Sequence, residues 1–185
     1  KDSPRYQGMG SAHVPPTSIT TFYEAMCTEA STSSAGNNRV LPFAKGSDPD
    51  VDGDEIQPTL VLEAVELAKE VTEVVVVCIG LPEISESEGF DRAHSRLPKQ
   101  HIELVQALVD VHPNVVVVLS NGGIVEIPQF FVDKTKAILY GFVLGQAGGA
   151  ALADILLGDV SPSGKLPETM PISPDVVVPS AKYFP

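Results

Sequence analysis

Val74-Val75-Val76-Val77-Cys78-Ile79, leading straight into Gly80-Leu81-Pro82-Glu83-Ile84-Ser85-Glu86-Ser87-Glu88-Gly89-Phe90-Asp91-Arg92, decides how this chain folds. The unbroken β-branched run has no polar residue at alternate positions to face water. It therefore reads as a strand buried on both faces, as in a parallel sheet covered by helices. In open sheets of that kind, ligands bind outside the carboxyl ends of the strands. The segment leaving this strand carries Glu83, Glu86, Glu88 and Asp91 with Arg92, and no histidine. That residue set points to carboxylate chemistry, not to a metal.

The flanking sequence alternates in the same sense. Pro58 opens a helix whose Leu60, Ala64, Leu67 and Ala68 fall at helical spacing, and it ends just before the buried strand. Pro98 opens another, carrying Ile102, Val105, Leu108 and Val109, which His112-Pro113-Asn114 breaks ahead of a second strand over 115–119. A short helical turn after Glu126 leads to a third strand over 136–142, and the Gly145–Gly149 turn opens a last helix through Leu157. Strands alternating with helices predict an α/β fold, a mostly parallel sheet sandwiched between helices. Toward the N-terminus, residues 1–16 read as a Gly- and Pro-rich loop, Thr17 or Ser18 as the cap of a short helix through Met26, and Ser31–Asn38 as a linker. Val40–Ala44 reads as a short strand near an edge because of Pro42. Asp48 to Gln57 is an acidic loop; it lacks the glutamate a calcium loop needs at its twelfth position, where Thr59 stands.

Bulk properties narrow the function. A 185-residue chain is one domain of ordinary size. Its net charge of -12 argues against nucleic acid, since phosphate binding needs a basic patch. No apolar run reaches the ~20 residues a membrane helix requires, so no membrane span is expected. The two cysteines, Cys27 and Cys78, form no disulfide framework, and Cys78 reads as a small core residue. The loop Gln7-Gly8-Met9-Gly10-Ser11 lacks the Gly-Lys-Ser/Thr of a phosphate loop, and Ser120-Asn121-Gly122-Gly123 lacks the order of a nucleophile elbow.

The segment ending in Ser87-Glu88-Gly89-Phe90-Asp91-Arg92 closely resembles the acid/base loop of glycoside hydrolase family 3, the β-glucosidase-like enzymes. The likeness extends along the chain in the family's order. Pro4-Arg5-Tyr6-Gln7-Gly8-Met9-Gly10-Ser11-Ala12-His13-Val14 resembles the glycine-rich opening of the family's second domain. Leu119-Ser120-Asn121-Gly122-Gly123-Ile124-Val125-Glu126-Ile127-Pro128 resembles its strand-then-turn element, with Ile124 where the family commonly has proline. Gly145 to Thr169, including Gly158-Asp159-Val160-Ser161-Pro162-Ser163-Gly164-Lys165-Leu166-Pro167, resembles its closing block.

The resemblance implies that residues 1–185 are the C-terminal α/β sandwich domain of such an enzyme, flavodoxin-like in architecture, with both ends cut or continued on another chain. It implies that Glu88 is the general acid/base, with Glu86 as the runner-up because the Glu-x-Glu spacing blurs the alignment. Gly89 would let the backbone turn tightly and present that side chain. Gly8, Met9, Gly10 and Ser11 would line the substrate pocket, Asp91 and Arg92 would support the loop, and no metal or cofactor is implied. The expected substrate is a β-glucoside or oligosaccharide. The expected partner is an N-terminal (β/α)8 barrel domain carrying the nucleophilic aspartate, since this chain has no tryptophan and no Ser-Asp-Trp-like motif. Two other readings stand beside it. One is a non-catalytic carbohydrate-binding module; the other is a receiver-type regulatory domain, which would need phosphate-loop or phosphoacceptor features not seen here.

Overall fold

The computed structural model of the chain describes residues 4–32, 40–48, 54–71 and 73–173. The valine runs form the expected sheet. β1 (Val75–Gly80), β2 (Val115–Ser120) and β3 (Ala137–Tyr140) lie parallel in the order β1-β2-β3, with Val77 opposite Val117 and Val118 opposite Leu139. Parallel neighbours need crossover connections, and α3 (Lys99–Val111) and α4 (Gln129–Lys134) supply them; α2 (Pro58–Glu70) precedes β1. Pro58 stands in the first turn of α2, and Pro98 and Pro128 stand as N-caps of α3 and α4. There the ring's fixed φ suits helix entry and its missing N–H leaves nothing unpaired.

Val77, Ile79, Val115, Val117 and Leu119 of the sheet join Ala64 and Ala68 of α2, and Leu104, Val105 and Leu108 of α3, in one buried cluster, with Phe131 of α4 fully enclosed. A second helical pair, α1 (Phe22–Thr32) and α5 (Gly148–Leu157), meets closely because Gly149 has no Cβ to strike Thr20 and Phe22.

Three local expectations change. The N-terminal helix starts at Phe22, not after Thr17 or Ser18, because Thr21-Phe22-Tyr23-Glu24 forms a reciprocal capping box. The Glu24 backbone N–H donates to Thr21 Oγ1 at 3.2 Å, and the Thr21 N–H donates to Glu24 Oε2 at 3.1 Å. Val40–Ala44 is not a strand: Val40 is 81% exposed, and the segment is held by Tyr23 Oη donating to Leu41 O and by edge contact of the Tyr23 and Phe43 rings. Cys78 is exposed and not in the core, since period-two alternation turns it away from the face that carries Val77 and Ile79. Residues 33–38 of the expected linker and 49–53 of the acidic loop lie outside the described residues. Among those described, no helix is long and apolar enough to cross a membrane, and no group of metal-ligating side chains converges.

His101 on α3 ties that helix to the end of β1 by donating from Nδ1 to Gly80 O at 3.0 Å. Burial lowers its pKa from 6.5 to about 4, an effect the hydrogen bond partly offsets. The unfolded imidazole takes up its proton near pH 6.5 and the folded one only near 4. The stability gained by keeping it neutral is therefore complete above pH 6.5 and is lost as the pH falls toward 4. Urea unfolding followed over that window should show a loss of about 3 kcal/mol that His101→Gln removes.

Candidate active site

The loop leaving β1 begins with a single 3-10 turn, Glu83–Glu86, then extends through Ser87 and turns again at Gly89, whose φ of +82° an L side chain rarely adopts. Ser87 pairs in parallel with Met9. That short bridge brings the glycine-rich N-terminal loop alongside the carboxylate loop, although the two lie far apart in the sequence.

Glu88 is exposed and reaches back across this bridge. Its Oε2 accepts the backbone N–H of Ser11 at 2.7 Å. Gly10 leaves the room: at φ +89°, a Cβ there would collide with Glu88 Cβ and lie 2.8 Å from Glu88 Oε2. Hydrogen bonding from Ser11 holds the Glu88 carboxyl below its usual range. Gly10, Ser11 and Glu88 thus meet at one point by the carboxyl ends of the strands, with Met9 paired beside them. Gly8 stands clear, with nothing within 4 Å of a Cβ added there.

Glu86, two residues earlier, is placed quite differently. Its side chain is 10% exposed, and both oxygens are occupied. Arg5 Nη2 donates to Oε2 at 3.0 Å, the Gly122 N–H lies 2.9 Å from each oxygen, and the Gly123 N–H donates to Oε1 at 2.7 Å. Arg5 also donates from Nε to Leu81 O at 3.3 Å. Both oxygens of Glu86 thus already accept protein donors. Beyond it, Asn121 is fully buried and donates to Gly123 O at 2.6 Å and to Tyr140 Oη at 2.8 Å. Burial, and then the negative charge of Glu86, push the Tyr140 phenol above its usual pKa.

Arg92 Nη2 donates to Ile124 O at 3.0 Å, holding the far end of the carboxylate loop to the turn after β2. Farther along, Ser95 Oγ donates to Glu126 Oε1 at 2.6 Å, and the Glu126 N–H donates to Ser95 O at 2.8 Å. Asp91 is exposed and makes no hydrogen bond or ion pair among the described residues. Sequence reasoning missed Arg5 as a site residue. The available signal was an arginine beside a glycine-rich loop in a chain whose second loop is dense in carboxylates.

Known proteins share the sequence and the fold of this chain. The family model described as glycosyl hydrolase family 3 C-terminal domain matches residues 1–184. Thermostable beta-glucosidase B of Acetivibrio thermocellus is 44% identical over 170 residues, covering 91% of this chain and 21% of that protein. The exo-alpha-(1->6)-L-arabinopyranosidase of Bifidobacterium breve is 42% identical, covering 92% of this chain and 21% of that protein. The crystal structure of the GH3 beta-glucosidase of Bifidobacterium adolescentis superposes with a TM-score of 0.79 at 42% identity, over 93% of this chain and 23% of that one. The chain spans about a fifth of the length of the curated relatives it matches.

Proposed function

The chain belongs to glycosyl hydrolase family 3, as its C-terminal domain, and on that premise we propose that it supplies Glu88 as the general acid/base of a retaining β-glycosidase of β-glucosidase type. The observation that carries this reading is the meeting of Glu88 with Gly10 and Ser11 at the carboxyl ends of the parallel strands. It is the exposed carboxylate of the pair. Glu86 has its oxygens already taken up by protein donors.

Retaining hydrolysis needs a second carboxylate as nucleophile, roughly 5–5.5 Å from the acid and on the other side of the anomeric carbon. Glu83 and Glu86 share one short turn just before Glu88 and cannot approach a sugar from the opposite face. We assign the nucleophile to an aspartate on a (β/α)8 barrel domain, with a β-glucoside or oligosaccharide held between the two domains. Gly8, Met9, Gly10 and Ser11 then form one wall of the pocket, and Arg92 supports the loop through Ile124 O, a role for which Asp91 has no partner among the described residues. Glu88 protonates the leaving oxygen and next takes a proton from water.

A proton donor at neutral pH requires a raised carboxyl pKa, whereas Ser11 lowers that of Glu88 here. Exclusion of water by the bound sugar and the approach of a second carboxylate both act in the upward direction. The Ser11 bond also favours one rival, in which Glu88 only braces the loops and the domain shapes a sugar pocket. Purified residues 1–185 should not hydrolyse an aryl β-glucoside, whereas addition of the barrel domain should give turnover. Robust hydrolysis by the chain alone would overturn the two-domain assignment.

A further inference from the structure

We propose that Glu86 and Arg5 are the positioning pair that holds Glu88 at the substrate, an inference that rests on the acid/base reading of Glu88. Each of their side chains is about nine-tenths enclosed, at 10% and 11% exposure, yet neither belongs to the apolar core. Their contacts join three separate segments of backbone. Arg5 anchors the N-terminal loop to Leu81 O, Glu86 anchors the loop leaving β1, and Gly122 and Gly123 present the turn after β2. Glu88 stands two residues from this knot, and the intervening Ser87 is itself paired with Met9. The segment carrying Glu88 is thereby fixed along its length, and the loop carrying its partner Ser11 is fixed by the same arginine.

The chemistry of the knot is specific to a carboxylate opposite a guanidinium. A carboxylate offers two acceptor oxygens, and here they serve two backbone N–H groups and Arg5 together. Glutamine at the same place keeps one oxygen and sets an NH2 against donors, so at least one glycine N–H or the guanidinium loses its acceptor. Lysine at position 5 keeps the charge but loses the planar fork that reaches both Glu86 and Leu81 O. Neither change touches the carboxylate of Glu88.

The test uses the assembled enzyme, this chain with its barrel, carrying Glu86→Gln or Arg5→Lys. Turnover is measured on an unactivated phenyl β-glucoside and an activated dinitrophenyl β-glucoside, together with the thermal midpoint. Misplacement of an acid should lower kcat on the unactivated substrate by about 100-fold for Glu86→Gln and about 10-fold for Arg5→Lys, with KM little changed. Loss on the activated substrate should be only a few-fold, and azide should restore nothing because the Glu88 carboxylate remains. Unchanged kcat in both variants, while Glu88→Gln behaves as an acid/base deletion, would overturn the positioning pair and leave the reading of Glu88 intact. Equal loss on both substrates, in step with lost folded protein, would reduce the pair to fold support and also overturn it. Azide rescue of Glu86→Gln, with none for Glu88→Gln, would overturn the reading of Glu88 as well.

Discussion

Glu88→Gln in the assembled enzyme is expected to lower turnover of substrates with poor leaving groups by about 10²–10⁴-fold, the range a positioned acid or base contributes. The substitution is nearly isosteric and falls on an exposed side chain whose one described partner is Ser11, so the fold has little to lose. An activated aryl glucoside leaves without much help from a proton, and glycosylation by that substrate should fall far less. Hydrolysis of the glycosyl-enzyme then becomes limiting, because water has lost its base. A uniform loss across leaving groups would place Glu88 outside the proton transfer and favour the pocket-shaping module.

Gly10→Ala is expected to cost about 10- to 100-fold in turnover, because a small displacement of a reacting group is expensive. Two effects combine at this position. The backbone at φ +89° is one that L side chains rarely adopt, and the new Cβ would occupy the space of Glu88 Cβ, 2.8 Å from its Oε2. The chain must shift either Glu88 or the N-terminal loop, and in both cases the Ser11 N–H no longer meets the carboxylate. Gly164→Ala is the internal control, since a Cβ at that glycine, which has no part in the proposed site, meets nothing within 4 Å. The comparison of kcat for the two variants, made on folded protein, isolates the Gly10–Glu88 contact. Full turnover by Gly10→Ala would mean that Glu88 does not act from this position.

How much of this was readable in the chain depends on the range of the interaction concerned. The parallel order of β1, β2 and β3 and the extents of α2 and α3 follow from periodicity and from Pro58 and Pro98, which are local signals. Thr17 and Ser18 are cap residues in type as much as Thr21 is, so sequence alone does not single out the Thr21-x-x-Glu24 capping box as the start of the N-terminal helix. Val40–Ala44 has the composition of a strand, but no edge among the described residues takes it up, and composition alone does not report that. Cys78 was expected inside because the valine run looks alike on both faces. Only the placement of the helices separates the covered face from the one on which Cys78 is exposed.

The site divides in the same way. The glycine-rich and carboxylate segments were each legible, but their contact through Met9, Ser11, Ser87 and Glu88 spans too many residues for any local pattern to report. Glu86 and Glu88 are near equivalents in sequence. What separates them is the 3-10 turn that ends at Glu86 and the extended Ser87 that follows. Together they send one carboxylate toward Arg5 and the glycine N–H groups and the other toward the loop surface.

The most direct measurement on Glu88 as acid/base is product analysis with an external nucleophile. The Glu88→Gln enzyme is incubated with a dinitrophenyl β-glucoside and sodium azide, and the sugar product is identified. Azide needs no general base, so it should attack the accumulated glycosyl-enzyme, restore turnover and give a glucosyl azide of retained β configuration. Absence of that adduct from Glu88→Gln, with its appearance from Glu86→Gln instead, would contradict the assignment.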